Sequence, residues 1–265
     1  MEGQLAKIAE YIADLARSIG FLSRLPVPPR FFEGHDGSLT RAVRSFPAAG
    51  ALLALPAATL LLLLLAGHAE PLLAAFIALA TTTLLTGALH EDGLADTADG
   101  LGGGRDREHM LTIMKDSRTG SYGVIALILS FGLRAAAVAA LAGTGSALLP
   151  ALALAAAAAV SRGVMVAHWH ALAPARANGV AVGAGRPTDG ARTFALASAS
   201  VIALVLLLPV TSLAVILCGL VPAGLAGYGF TRHVDRKLGG HTGDTIGATQ
   251  QIVEIVFLAG LALIA

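Results

Sequence analysis

The sequence predicts an all-α, polytopic integral membrane bundle: about seven transmembrane helices preceded by an amphipathic interfacial helix. Three observations carry this. Of 265 residues, 55% are apolar and only 13% charged, against about 25% charged in an ordinary soluble domain. Mean hydropathy is +0.75, and several stretches reach the ~20 apolar residues that cross a bilayer core. The Lys and Arg residues, finally, alternate from one connection to the next.

The elements follow in chain order. Ile8, Tyr11, Ile12, Leu15, Ile19 and Leu22 recur at spacings of three and four, while Lys7, Glu10, Asp14, Arg17 and Ser18 fill the other faces. This is the pattern of a helix lying in a membrane interface. No cleavable leader pattern is legible in residues 1–25, and Leu25-Pro26-Val27-Pro28-Pro29 ends the helix. Seven spans are expected at 46–66, 71–89, 120–142, 147–171, 193–209, 211–230 and 247–265, within a single domain over 1–265. The Ala- and Leu-rich runs at 154–160 and 60–65 pack helices closely or face lipid, and no chemistry is assigned to them.

Of the 18 Lys and Arg residues, all but Arg134 and Arg162 fall before the first span or in the second, fourth and sixth connections. The positive-inside rule places those segments in the cytoplasm. Arg134 and Arg162 lie within spans, where a charge costs at least ~2.5 kcal/mol and turns to the bundle or to water. They either form a structural ion pair, with Glu254 of the last span as a partner, or serve a substrate cavity. The net charge of +1 gives no sign of a nucleic-acid partner, and the lone Cys218 excludes an intramolecular disulfide or a Cys-based metal site.

The densest polar segment is residues 90–120. Asp92, Asp96 and Asp99 stand at i, i+4 and i+7, one stripe of a helix. Bare carboxylates so aligned repel unless a cation neutralises them, and oxygen-only donors suit Mg²⁺, Mn²⁺ or Ca²⁺. Gly100, Gly102, Gly103 and Gly104 follow, where glycine lets backbone N–H groups approach a phosphate. Then come Arg105, Arg107, Lys115, Asp116 and Arg118. Lys115 and Arg118 follow the stripe closely enough to fold back over it and grip a polyphosphate, although such cations also act as plain topology signals. Asp96-x-x-Asp99-Gly100, with Arg105 and Asp116, partly resembles the CDP-alcohol phosphotransferase motif. His90 is a candidate general base or a group that orients a carboxylate. Gly240 and Asp244 lie in a second polar segment, Gly239-Gly240-His241-Thr242-Gly243-Asp244, suited to a phosphate or ribose contact, to metal or to a proton. His168, Trp169 and His170 read as an interfacial anchor.

Four longer segments together resemble the cobalamin synthase family, the adenosylcobinamide-GDP ribazoletransferases. They are Phe21–Pro28, Leu89–Gly100, Ile113–Gly123 and Arg236–Gly247. The resemblance implies a Mg²⁺-dependent enzyme that joins α-ribazole, or its 5′-phosphate, to a GDP-activated corrinoid and releases GMP. It implies Asp92, Asp96, Asp99 and Asp116 as catalytic metal ligands with His90. Gly100, Gly103, Arg105, Lys115, Arg118, Gly240 and Asp244 would then contact substrate, and the His168–His170 segment would be a candidate for ligating the corrinoid cobalt. The sequence leaves open whether copies associate as a homo-oligomer. A transporter of a phosphorylated or corrinoid substrate is the competing reading, and it requires polar groups concentrated at the bilayer midplane.

Overall fold

The computed structural model describes residues 2–176 and 183–265. Its helices are α1 (Glu2–Leu22), α2 (Phe46–Ala66), α3 (Pro71–Thr86), α4 (Leu89–Gly103), α5 (Arg107–Ile113), α6 (Ser121–Ala142), α7 (Leu148–Ala171), α8 (Asp189–Leu207), α9 (Leu213–Leu238) and α10 (Gly243–Ala262). Among the described residues six helices are long and apolar enough to cross a membrane: α2, α6, α7, α8, α9 and α10, the first taken with the 3₁₀ turn that precedes it.

The second expected span breaks. α3 has 16 residues, about 24 Å of helix at 1.5 Å per residue. It ends at Gly87 and Ala88, both left-handed at φ 65° and 58°, and α4 leaves at 92°. The second expected span is therefore the first limb of a bent pair, and the second limb, α4, lies across the bundle end, over the N-terminal turns of α6 and α10. An alanine Cβ at position 87 would also collide with the Arg24 side chain at Nε. The N-terminal segment is tied to the bend by a hydrogen bond from Arg24 N to the Leu85 carbonyl at 2.8 Å.

α7 is the central pillar: 89% of its most apolar window is buried, against 28% for α8 and α9. The run Ala155–Ala159 is buried throughout. Lipid tails are as apolar as side chains, so this contact rests on close van der Waals packing of small residues.

The buried charges neutralise one another. Arg134 donates to Glu254 at 3.0 Å and to Glu91 at 3.4 Å, and Arg162 stands 3.7 Å from Glu254. Gln251 bridges Ser130 at 2.8 Å and Glu91 at 3.1 Å. Two cations and two anions, contributed by α4, α6, α7 and α10, thus form one network, the arrangement in which buried charge is tolerated. Of the two readings open for Arg134 and Arg162, the structural ion pair holds.

α1 splits its expected stripe. Leu5, Ile8 and Ile12 are exposed as an apolar face, whereas Leu22 is fully buried. The polar face is anchored instead. Asp14, 1% exposed, takes Arg17 at 3.3 Å, Arg41 at 3.3 Å and Arg44 at 2.8 Å.

The basic connections meet at one end of the bundle. Arg107 donates to the Leu238 and Ala175 carbonyls at 2.8 and 2.6 Å, and Arg176 to the Leu111 carbonyl at 2.6 Å. Leu39 N bonds the Ala184 carbonyl at 2.8 Å, and Thr188 N bonds the Thr40 carbonyl at 3.0 Å. Pro174 and His241 form a short parallel bridge. The N-terminal segment and the connections around 105–118, 172–176, 183–192 and 239–242 are thus hydrogen-bonded to one another. This is the one-sidedness that the charge alternation requires.

Candidate active site

The site forms where α4 crosses the start of α10. Thr242 caps α10 by accepting from Thr245 N, and the Thr245 hydroxyl accepts from Thr242 N in return. Asp244 therefore sits in the first turn, where backbone N–H groups and the helix dipole favour negative charge. Gly93 of α4 faces it: a Cβ there would lie 2.8 Å from the Asp244 carbonyl oxygen and 3.3 Å from Gly247 Cα. This close crossing brings the two polar segments together.

The stripe of aspartates has three different fates. Asp92 is exposed and lines a cavity of about 230 Å³ together with Asp244. Asp96, half-buried, has its carboxyl raised to about 6, first by burial and then by Asp92, Asp244 and Asp99, with Arg176 opposing. Asp99 is buried and faces away, accepting from Gly120 N at 2.6 Å and Gly123 N at 2.8 Å. It supplies from another helix the cap that the N-terminus of α6 lacks.

Other expected site residues fall elsewhere. Asp116 and Arg118 bind each other at the surface, with Arg118 Nη2 2.6 Å from Asp116 Oδ2, and this pairing lowers the Asp116 carboxyl to about 2. Lys115 is exposed as well, so neither cation folds back over the stripe. Arg105 is exposed and 3.8 Å from Asp106. Gly100 and Gly103 are not in an open loop but in the last turn of α4. Side chains there would meet Met114 at 2.5 Å and Ile113 at 3.5 Å. Their N–H groups lie within the helical ladder, so the glycines serve close packing of α5 on α4 rather than a phosphate cradle. Gly240 likewise lets its segment pass the 173–175 segment: a Cβ would lie 2.5 Å from the Ala173 carbonyl oxygen.

His90 lines the cavity, 2% exposed, with Nε2 unpartnered. Burial holds its imidazole well below the usual range, with Arg162 and Arg134 adding to the shift. The apolar walls come from Phe21, Leu22, Met165, Trp169 and Ile246. His168 is tied to Thr231 at 2.9 Å and Thr245 at 3.2 Å, which joins α7 to α9 and α10. Sequence reasoning gave Arg176 and Trp169 only a topological or anchoring role. Nothing in their local spacing marks them, because both reach the site through tertiary packing.

A larger cleft of about 920 Å³ lies between α7, α8 and α9, lined by Arg186, Arg192, Arg232 and a single carboxylate, Asp235. It lacks the acidic cluster.

Among the described residues no three His, Cys, Asp or Glu side chains close into a ready-made metal cage. Mg²⁺ does not need one, since it is usually held by one or two carboxylates with water and substrate phosphate completing its shell. Asp92 and Asp96, with Asp244 beside them and Arg176 as the opposing cation, form an oxygen-rich edge with excess negative charge. This donor set fits Mg²⁺.

Three of the four unusual segments thus converge on one cavity: Phe21 and Leu22, then Leu89, His90, Asp92 and Gly93, then Gly243, Asp244, Ile246 and Gly247. The fourth, Ile113–Gly123, donates from Gly120 N and Gly123 N to the Asp99 carboxylate. The family model described as cobalamin-5-phosphate synthase matches residues 14–262. The chain belongs to this family. It is 56% identical over 256 residues to an adenosylcobinamide-GDP ribazoletransferase of Rhizobium etli, covering 97% of this chain and 98% of that one. A relative of the same name in Rhizobium meliloti is 56% identical over 265 residues, covering 98% and 99%. One in Brucella anthropi is 42% identical over 252 residues, covering 95% and 97%. No solved structure matches.

Proposed function

We propose that this membrane protein is an adenosylcobinamide-GDP ribazoletransferase. It joins α-ribazole, or its 5′-phosphate, to adenosylcobinamide-GDP and releases GMP. The attacking oxygen of the ribazole forms a bond to the phosphorus on the corrinoid side of the diphosphate. The bond from that phosphorus to the GMP oxygen breaks, and the attacking hydroxyl gives up its proton. The observation that carries this reading is that Asp92 and Asp244 line one cavity, with Asp96 close enough to feel both charges, in a chain of this family. Mg²⁺, held by Asp92 and Asp96 with Asp244 nearby, would neutralise diphosphate charge. Arg176 adds the protein's own cation at that edge. Asp244 is placed to take the proton, and His90, buried and neutral, to orient the acceptor. Transfer at phosphorus needs little more than such positioning and charge stabilisation.

The active face is the cytoplasmic one, and the membrane is the bacterial inner membrane. The support is that the basic segments and the cavity share one end of the bundle. The transporter reading loses its main premise, because Arg134, Arg162 and Glu254 are consumed in a neutral network rather than lining a path.

The test is GMP formation by purified protein in detergent with Mg²⁺, the GDP-activated corrinoid and α-ribazole. Asp92→Asn and Asp96→Asn should insert normally and lose about 100-fold or more in turnover, the scale of one lost electrostatic stabiliser. Near-wild-type GMP release by both variants would overturn the assignment.

A further inference from the structure

We infer that the cavity between α1, α4, α7 and α10 is the subsite for the heteroaromatic base of the attacking nucleoside, with Trp169 as its specificity-determining contact. The inference rests on the transferase reading and adds where one substrate lies and how it is recognised.

Four observations support it. First, the walls are apolar (Phe21, Leu22, Met165, Trp169 and Ile246), whereas the polar groups Asp92 and Asp244 belong to the acidic edge. A ligand seated here has an apolar body and a polar end that reaches the carboxylates. Second, two wall residues carry buried ring nitrogens without partners: Trp169 Nε1 and His90 Nε2. Both side chains are 2% exposed, and a buried polar group without a partner marks a site where a ligand supplies one. Third, Trp169 is fixed on its other sides, 6.5 Å from Phe46 and 6.4 Å from His241 between ring centroids. It is a pre-formed wall and loses little ordering entropy on binding. Fourth, the volume of about 230 Å³ admits a flat bicyclic ring and excludes a corrin.

Ribazole matches these demands. Its base is a flat, fused aromatic ring with apolar substituents and a single free ring nitrogen, an acceptor. The indole N–H is a donor only, so Trp169 can satisfy that nitrogen. A guanine fits poorly, because its edge of several donors and acceptors would be left unpaired against apolar walls. With the base seated, the ribose projects toward Asp92 and Asp244, which brings a ring hydroxyl of the ribose, free in both the nucleoside and its 5′-phosphate, to the acidic edge as the attacking group.

Trp169 is the only tryptophan in the chain, so its emission reports on this cavity alone. The wild-type protein in detergent, excited at the red edge of indole absorption, should show a saturable change on titration with α-ribazole and none with GDP. Trp169→Phe serves as the blank. In steady-state assays this variant should raise KM for α-ribazole about tenfold, the scale of one lost buried hydrogen bond, and leave KM for the GDP-activated corrinoid unchanged. Met165→Phe, which narrows the cavity and keeps Trp169, should raise the same KM. If wild-type protein fails to release GMP from the two substrates, the transferase reading fails. If GMP is released while α-ribazole leaves the emission unchanged, or if GDP produces the change, the subsite is wrong and the transferase reading stands.

Discussion

Identical side chains in one stripe do different work here, and the difference lies in what surrounds each. Asp92 meets the cavity, Asp96 has its carboxyl raised by burial and then by its acidic neighbours, and Asp99 caps α6 with both oxygens. The spacing of the three is legible in the sequence. Their division of labour is not, because it depends on which helix end each carboxylate meets. The same holds for the cations. Lys115 and Arg118 lie close to the stripe along the chain, yet Arg118 is 86% exposed and grips Asp116. Exposed pairs of this kind contribute little. Arg118→Lys keeps the charge and should change kcat for GMP release by less than about threefold, since a tenfold fall requires the barrier to rise by about 1.4 kcal/mol. A tenfold or larger fall would show that Arg118 leaves Asp116 and enters the site during turnover.

At the scale of elements, the decisive feature is the break between α3 and α4. A hydropathy reading runs 71–89 as one span because no charged residue interrupts it. Two successive left-handed residues turn the chain through 92° instead. Left-handed alanine is uncommon and costs about 1 kcal/mol or more, and the bend is held by Arg24 packed against Gly87. The consequence is functional: α4 is laid over α10 so that Gly93 meets Asp244 and Gly247. Gly93→Val should force the helices apart, because the added atoms meet backbone, which cannot rotate away. The expected outcome is a protein that inserts and elutes as wild type but releases GMP at least about 100-fold more slowly, as a misplacement of about 1 Å can cost. Near-normal activity would mean that the crossing is not what sets the site. The polar segment before α10 is legible in the sequence as a glycine-rich turn with an aspartate leading into the last span. Its pairing with 173–175 is not, because the two stretches lie far apart along the chain.

For the whole molecule, the basic segments form one hydrogen-bonded layer and the buried charges form one neutral network. Arg107 and Arg176 are structural bolts of that layer as well as topology signals. If the layer faces the cytoplasm, cysteines placed at exposed Lys115 and Lys237 in a Cys218→Ser background should resist a membrane-impermeant thiol reagent in whole cells and react in inverted vesicles. The reverse pattern would invert the topology.

Taken alone, the sequence determines what depends on composition and short-range order. Apolar length sets the number of crossings to within one bent pair. Charge asymmetry gathers the basic segments at one end, and i, i+4 spacing aligns the carboxylates. These are legible because transfer to lipid and helix geometry act residue by residue. Tertiary structure alone decides that Glu91 and Glu254 neutralise Arg134 and Arg162, that Asp99 caps α6 instead of facing the cavity, and that Phe21, Trp169 and Asp244 share one cavity. Those outcomes depend on contacts between groups more than 20 residues apart. Packing geometry sets such contacts, and no local pattern encodes them.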